Sequence, residues 1–214
     1  MLATYVLFYL MTSFTLTYGT AKTDATPAGL GFSYITFVLM QIIGVVFFGI
    51  FTLLSGPVAD AIGRRKLLTW TTVAIIAFGL SFPLWLQPRP EAAFTGALTQ
   101  AFLIVGFLLM GTTFGPMGAL LPELFPTNVR YTGSAIAYNV SSILGAALAP
   151  IIAVALWATA GGSTWSVGVY LACAGVLTLI ALLLSKETKD TDYFAASVDD
   201  AEFAALAEEN SVRL

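Results

Sequence analysis

The sequence contains no histidine and only one cysteine among its 214 residues. The lack of histidine excludes metal sites and proton relays that need imidazole, and the lone Cys173 cannot form an internal disulfide. The sequence also shows no nucleophile–base set, no phosphate-binding loop and no metal-ligand spacing. We therefore expect neither an enzyme nor a bound cofactor or metal.

Charge is equally scarce. Only 10% of the residues are charged and 58% are hydrophobic, whereas soluble domains carry about 25% charged residues. Such a chain has too few polar side chains to cover a surface that faces water. The basic stripe needed for nucleic-acid binding is also missing. The composition therefore predicts an integral membrane protein, surrounded by membrane lipid and not bound to nucleic acid.

Six apolar stretches are long enough to cross a hydrocarbon core of about 30 Å. They are predicted at 2–19, 32–56, 67–87, 96–121, 132–159 and 165–185. Lipid offers no partner for free backbone amides, and strand alternation is absent, so each stretch is expected to be a helix. The predicted fold is an all-α membrane protein, with six transmembrane helices in residues 1–186 and an acidic cytoplasmic tail at 187–214.

The lysine and arginine residues give this predicted bundle a direction. Two of them, Lys22 and Arg89, fall on one side of the membrane. The other seven fall on the opposite side: Arg64, Arg65, Lys66, Arg130, Lys186, Lys189 and Arg213. Because basic residues are enriched in cytoplasmic loops, the side with seven is expected to be cytoplasmic. The sequence thus predicts a multi-pass plasma-membrane protein with both termini in the cytoplasm.

Small residues recur at every fourth position in two of the predicted spans. The fourth span contains Gly111 and Gly115, and the fifth carries a small residue at each such step from Gly133 to Ala153. This spacing lets helix backbones approach closely in lipid, so it predicts helix packing. The alternative is a surface along which helices slide during a conformational change.

The most specific motif lies between the second and third spans. It reads Gly-Pro-Val-Ala-Asp-Ala-Ile-Gly-Arg-Arg-Lys from Gly56 to Lys66. Asp60 falls at a helix end beside three cations, where a carboxylate can interact with the positive N-terminus of a neighbouring helix. Gly63 permits a tight reversal of the chain. A role in topology alone would explain the cations but not the ordered Gly–Asp–Gly–Arg spacing.

This loop resembles the signature loop of the major facilitator superfamily, Gly-x-x-x-Asp-x-x-Gly-Arg-Arg/Lys. The matching residues are Gly56, Asp60, Gly63, Arg64 and Arg65. The resemblance implies a transporter built from two six-helix halves, with the substrate bound near the midplane between them. This chain would then be the C-terminal half of the superfamily fold, and its partner would be an N-terminal six-helix half that is missing here.

A second motif, Pro-Glu-Leu-Phe-Pro-Thr-Asn-Val-Arg-Tyr-Thr-Gly, covers residues 122–133 and contains the only charges between residues 92 and 185. The resemblance implies a cytoplasmic gating network of Asp60, Arg64, Arg65, Glu123 and Arg130. This network would hold the outward-open state and break when the cytoplasmic side opens. The wording of the motif is similar to the metabolite:proton symporter branch, whose members carry organic acids, osmolytes and related solutes.

Candidate substrate contacts within the predicted spans are uncharged. They are Gln41, Asn139, Tyr9, Thr12 and Tyr138. A polar residue in a span more often bonds a neighbouring helix than a solute, and this alternative stays open for each of them. No carboxylate lies deep in a span, so an acid that couples transport to protons is expected in the missing half.

The resemblance therefore predicts the C-terminal half of a proton-coupled symporter for a small metabolite, an organic acid or an osmolyte, working by alternating access. The first span looks clipped and no charge is buried, which leaves an alternative: a truncated fragment or regulatory membrane protein that does not transport. A homodimeric carrier is a third alternative, and the missing acid argues against it.

Overall fold

The computed structural model describes residues 1–87, 92–125 and 128–185. Helix accounts for 84% of these residues, and no strand occurs among them. The helical class predicted from the sequence is therefore confirmed for the described part of the chain. The predicted acidic tail at 187–214 lies outside the described residues.

Six long helical segments follow one another along the described residues, and we number them α1 to α6. Their bounds are α1, Leu2–Tyr9 with a π-helical turn Leu10–Phe14 and Thr15–Thr20; α2, Tyr34–Ile62; α3, Arg64–Leu80; α4, Ala92–Glu123; α5, Arg130–Ser142 with a π-helical turn Ile143–Ala147 and Leu148–Thr159; and α6, Trp165–Leu184. A short helix, Phe82–Trp85, follows α3.

Four helices in the described residues are long and apolar enough to cross a membrane. They are Tyr34–Ile62, Ala93–Glu123, Arg130–Thr159 and Trp165–Leu184. The π-helical turn interrupts α1, and α3 has only 17 residues, the first three of which are basic. A helical membrane protein is therefore shown, whereas the count of six spans stays a prediction.

Successive helices run in alternate directions, as the contacts at the two ends of the bundle show. At one end, Arg64 at the start of α3 contacts Glu123 at the end of α4. At the opposite end, the Tyr18 hydroxyl of α1 donates to the carbonyl oxygen of Leu86, 2.5 Å away. We call the end that holds Arg64 the basic end.

The packed core is centred on α1. Leu7, Leu10, Met11 and Phe14 are fully buried there, and they cluster with phenylalanine rings of α3 and α4. In contrast, α2 and α5 carry many large apolar side chains on their outer faces. A helix that is apolar on its outer face is covered by lipid or by another apolar surface, so this pattern fits a membrane bundle.

Glycines bring α2 and α4 into backbone contact. A Cβ atom on Gly111 would lie 2.5 Å from the carbonyl oxygen of Phe48. A Cβ atom on Gly115 would meet Ser55 Oγ and would lie 2.6 Å from the carbonyl oxygen of Thr52. The close packing predicted from the four-residue spacing of these glycines is confirmed.

Candidate functional site

Three charged side chains meet at the basic end. Arg64 Nη2 lies 3.2 Å from Asp60 Oδ1, and Arg64 Nη1 contacts Glu123 Oε1. Asp60 belongs to the last turn of α2, Arg64 begins α3 and Glu123 ends α4. This Asp60–Arg64–Glu123 cluster thus joins the ends of three helices.

The two ion pairs of the cluster differ in solvent exposure. The Asp60 side chain is 66% exposed, whereas the Arg64 and Glu123 side chains are 20% and 18% exposed. An exposed pair contributes about 0–1 kcal/mol because water screens it. The Arg64–Glu123 pair is less screened, so it is the stronger link between α3 and α4.

Gly63 allows α3 to follow α2 without a loop. Its backbone has a φ of 101° and a ψ of 134°, a conformation that residues other than glycine rarely adopt. As a result the two helices are separated by this one residue, and Asp60 reaches Arg64 across the turn. The motif residue Gly56 lies inside α2, because the helix continues through Pro57 to Ile62.

The other two predicted gating residues bond to main-chain carbonyls. Arg65 Nε donates to the carbonyl oxygen of Leu182 at 2.9 Å, and its Nη2 donates to that of Leu183 at 2.7 Å. These are terminal carbonyls of α6, where the helix dipole favours a cation. Arg130 Nε donates to the carbonyl oxygen of Phe125 at 3.4 Å. Their part in gating stays a prediction.

Gln41 holds the π-helical turn of α1. Its Nε2 lies 2.9 Å from the carbonyl oxygens of Met11 and Thr12 and 3.4 Å from Thr15 Oγ1. A π-helical turn disturbs the regular backbone bonding of a helix, and a neighbouring amide can satisfy the carbonyls involved. The Thr12 hydroxyl donates within α1, to the carbonyl oxygen of Phe8 at 2.8 Å. Contact of Gln41 or Thr12 with a solute stays a prediction.

A cavity of about 350 Å³ lies among α1, α2, α4 and α5. Its lining residues, which are aromatic, aliphatic or hydroxyl-bearing and include no charged side chain, are Thr4, Tyr5, Phe8, Tyr9, Phe48, Met110, Phe114, Tyr138 and Ser142. We call this space the aromatic cavity. The structure therefore brings together two of the predicted substrate contacts, Tyr9 and Tyr138.

Tyr5 is a cavity residue that sequence reasoning missed. Its ring packs edge-to-face against Tyr138, with centroids 5.6 Å apart. Gly145 makes room for this contact, because a Cβ atom there would lie 3.2 Å from the backbone nitrogen of Val6 and would meet Tyr5 itself. The available signal was the spacing of Tyr5 and Tyr9, which places both on one face of a helix.

A second cavity of about 360 Å³ adjoins the aromatic cavity on the side of the basic end. Thr4, Tyr5, Phe114 and Tyr138 line both spaces. The second cavity extends to Pro122 near the end of α4. Shared walls therefore join the two cavities, and the second one reaches Pro122, the neighbour of Glu123 in the chain.

Asn139 lines neither the aromatic cavity nor the second cavity. Its side chain is exposed, and its Nδ2 donates to the carbonyl oxygen of Ala135 at 2.8 Å. Since Asn139 follows Tyr138 on α5, the two side chains point in different directions from the helix. A role for Asn139 in binding a solute stays a prediction.

Comparison with known proteins identifies a matching family and several similar proteins. The family described as "Sugar (and other) transporter" matches residues 5–198. The chain is 50% identical over 191 residues to the inner membrane metabolite transport protein YhjE of Escherichia coli. The aligned region covers 88% of this chain and 41% of that protein. It is 47% identical over 197 residues to a protein of Haemophilus influenzae, covering 90% of this chain and 43% of that protein.

A more distant relative carries a more specific name. The chain is 29% identical over 189 residues to the citrate-proton symporter of Salmonella typhi, covering 88% of this chain and 41% of that protein. The chain thus spans about two fifths of the length of these curated relatives. No solved structure gave a match.

Proposed function

Because the chain belongs to the sugar (and other) transporter family of the major facilitator superfamily, we propose that it forms the C-terminal half of a secondary transporter for a small metabolite. The proposed half has six membrane spans with both termini in the cytoplasm, and it works with an N-terminal six-helix half. The share of its relatives that the chain covers is in keeping with one half of such a protein.

The Asp60–Arg64–Glu123 cluster is the observation that carries this proposal. It links the ends of α2, α3 and α4 at the basic end, and the second cavity extends from the aromatic cavity towards this end as far as Pro122. With the cluster intact, the cytoplasmic end of the bundle stays closed and the substrate enters from the other side. Alternating access then requires that the contacts of this cluster change when the basic end opens.

The aromatic cavity supports a substrate with hydroxyl or carboxyl groups. The hydroxyl groups of Tyr9 and Tyr138 offer hydrogen bonds, whereas the cavity lining offers no charge to an anion or a cation. An organic acid or an osmolyte would therefore meet its charged partners in the N-terminal half. The name of the citrate-proton symporter supports proton coupling, with the coupling acid also in that half.

The first experiment measures transport by the protein at its native length in proteoliposomes. Uptake of labelled organic acids and osmolytes is compared with and without an inward proton gradient. Uptake that depends on the gradient supports symport. If a folded protein that includes both halves moves none of these solutes, the proposal of a transporter is wrong. The alternative is then a regulatory or non-transporting membrane protein.

A second experiment tests the charged cluster directly. Ser134, which lines the second cavity, is changed to cysteine in a Cys173→Ser background, and its labelling by an impermeant reagent is measured from the cytoplasmic side. Asp60→Asn and Arg64→Gln are expected to increase this labelling several-fold, because the cluster no longer holds the basic end closed. Lys22→Gln removes a cation at the opposite end and is expected to leave labelling unchanged.

A further inference from the structure

A polar pocket of about 250 Å³ lies on the outside of the bundle at the basic end. Its walls are formed by Arg65, Lys66, Thr69 and Trp70 of α3 and by Leu183 of α6. None of these residues lines the aromatic cavity or the second cavity. We call this the α3–α6 pocket, and its chemistry is separate from the proposed transport path.

Two cations give the α3–α6 pocket its charge. Lys66 Nζ lies 5.4 Å from the centroid of the Trp70 ring, a cation–π contact that leaves the positive charge of the ammonium group in place. Arg65 is held in place by the terminal carbonyls of α6. The acids Asp60 and Glu123 pair with Arg64. The pocket therefore presents positive charge with a directed donor group.

The surroundings of the pocket are those of a membrane interface. Trp70 is 62% exposed and lies one helical turn beyond Lys66, as tryptophan does at the level of lipid headgroups. On the α6 side, Leu183 and Leu184 are 56% and 82% exposed, and they form an apolar surface next to the charged groups. A ligand that fits here carries an anionic group and an apolar part side by side.

We propose that the α3–α6 pocket binds the headgroup of an anionic phospholipid of the phosphatidylglycerol class. Lys66 donates hydrogen bonds to the phosphate oxygens, and Arg65 adds attraction from the α6 side. The Trp70 ring lies against the glycerol region, and the acyl chains follow Leu183 and Leu184. Basic pockets between membrane helices are suited to anionic headgroups, and each nearby basic residue contributes about 1 kcal/mol.

The test measures quenching of Trp70 fluorescence by brominated lipid. The protein at its native length is placed in phosphatidylcholine nanodiscs that contain either brominated phosphatidylglycerol or brominated phosphatidylcholine. Subtracting the signal of a Trp70→Phe variant isolates the emission of Trp70. We expect stronger quenching by phosphatidylglycerol, and Lys66→Gln is expected to reduce this preference about fivefold.

Two further variants separate the pocket from general surface charge. Lys66→Arg keeps the cation and is expected to retain most of the preference, which also shows that this position tolerates substitution. Lys22→Gln removes an exposed cation at the far end and is expected to retain all of it. Equal losses in Lys22→Gln and Lys66→Gln would overturn the proposal, as would equal quenching by the two lipids.

The source of the anionic group is tested by competition. Inorganic phosphate at millimolar concentration is expected to leave the quenching unchanged, because it lacks the apolar part. Displacement of the lipid by phosphate would assign the pocket to a small soluble anion and overturn the lipid assignment. The third outcome is a preference for phosphatidylglycerol that develops only after residues 187–214 are deleted. This result would make the acidic segment the native occupant of the pocket, and it would also overturn the lipid assignment.

Discussion

At the residue scale, single amide side chains stabilise irregular or crowded positions in the bundle. Gln41 donates to two carbonyl oxygens in the π-helical turn of α1, whereas Gln100 donates to one, that of Met40 at 3.2 Å. We expect Gln41→Leu to lower the free energy of unfolding by about 1–3 kcal/mol, because it leaves carbonyls without a donor.

The matched variant for this prediction is Gln100→Leu, which is expected to cost only about 0.6 kcal/mol, the average for a side-chain hydrogen bond in a membrane bundle. Both values are measured by titrating the purified protein with a denaturing detergent. An equal loss in the two variants would show that the π-helical turn does not depend on Gln41.

Gly63 carries the second prediction at this scale. The φ of Gly63 is 101°. Gly63→Ala would place a residue with a Cβ atom in this strained backbone conformation, so we expect it to lower the free energy of unfolding by about 1–3 kcal/mol. Gly49→Ala is the control, since a Cβ atom there meets nothing within 4 Å and α2 gains helix propensity. The same detergent titration compares them, and unchanged stability of Gly63→Ala would contradict the role of this glycine.

Sequence spacing accounts for some of these residues and not for others. The need for glycine at position 63 could be predicted, because a reversal between two helices leaves few other residues possible. The nearness of Asp60 to Arg64 is implied by the resemblance of this loop to the superfamily motif. The bonds of Gln41 could not be predicted, because a π-helical turn leaves no trace in hydrophobic periodicity and depends on a helix distant in the chain.

At the element scale, the contact between α2 and α4 depends on two glycines. Gly111→Ala and Gly115→Ala place a methyl group against the backbone of α2, so each is expected to cost about 1–3 kcal/mol of stability. Gly118→Ala on the same helix has open space around its Cβ position and is expected to be neutral or to gain up to about 1 kcal/mol.

Thermal unfolding of the purified protein, followed by helical circular dichroism, measures these three variants. We expect Gly118→Ala to unfold at or above the temperature of the unchanged protein, and Gly111→Ala and Gly115→Ala to unfold below it. If Gly111→Ala unfolds at the same temperature as Gly118→Ala, the close contact of α2 and α4 is not a source of stability.

Apolar runs locate the helices well but their ends less well. The predicted span 32–56 stops where hydropathy falls, yet α2 continues to Ile62, since leaving the lipid core does not end a helix. The predicted span 67–87 contains the end of α3 at Leu80 and a separate short helix. Pro83 contributes to this break, because it has no backbone N–H to donate to the preceding turn and its fixed φ suits the first turn of a new helix.

At the scale of the whole molecule, alternate helix directions and the distribution of basic residues predict which loops face the cytoplasm. In a Cys173→Ser background, cysteines introduced at Lys22 and Ser163 are expected to react with an impermeant reagent from outside the cell. A cysteine introduced at Asn128 is expected to react only after the cytoplasmic side is exposed. Labelling of all three from one side would contradict the proposed orientation and the six spans.

The family and the helical membrane class could be predicted from the chain as a whole, because composition and two loop motifs are properties of the sequence itself. The aromatic cavity could not, since it forms only where α1, α2, α4 and α5 meet. Tyr5 illustrates the difference. Its spacing places it on the same helix face as Tyr9, but its contact with Tyr138 depends on the space left by Gly145.

The backbone contact between α2 and α4 also restricts how the protein can move. Where Gly111 and Gly115 meet the backbone of α2, no side chain separates the two helices, so we expect them to rotate and translate together. We therefore expect Asp60 and Glu123, at the ends of these two helices, to keep a constant separation when the basic end opens. The contacts that change during opening are then those of Arg64 and those between the basic end and the surface that packs against it.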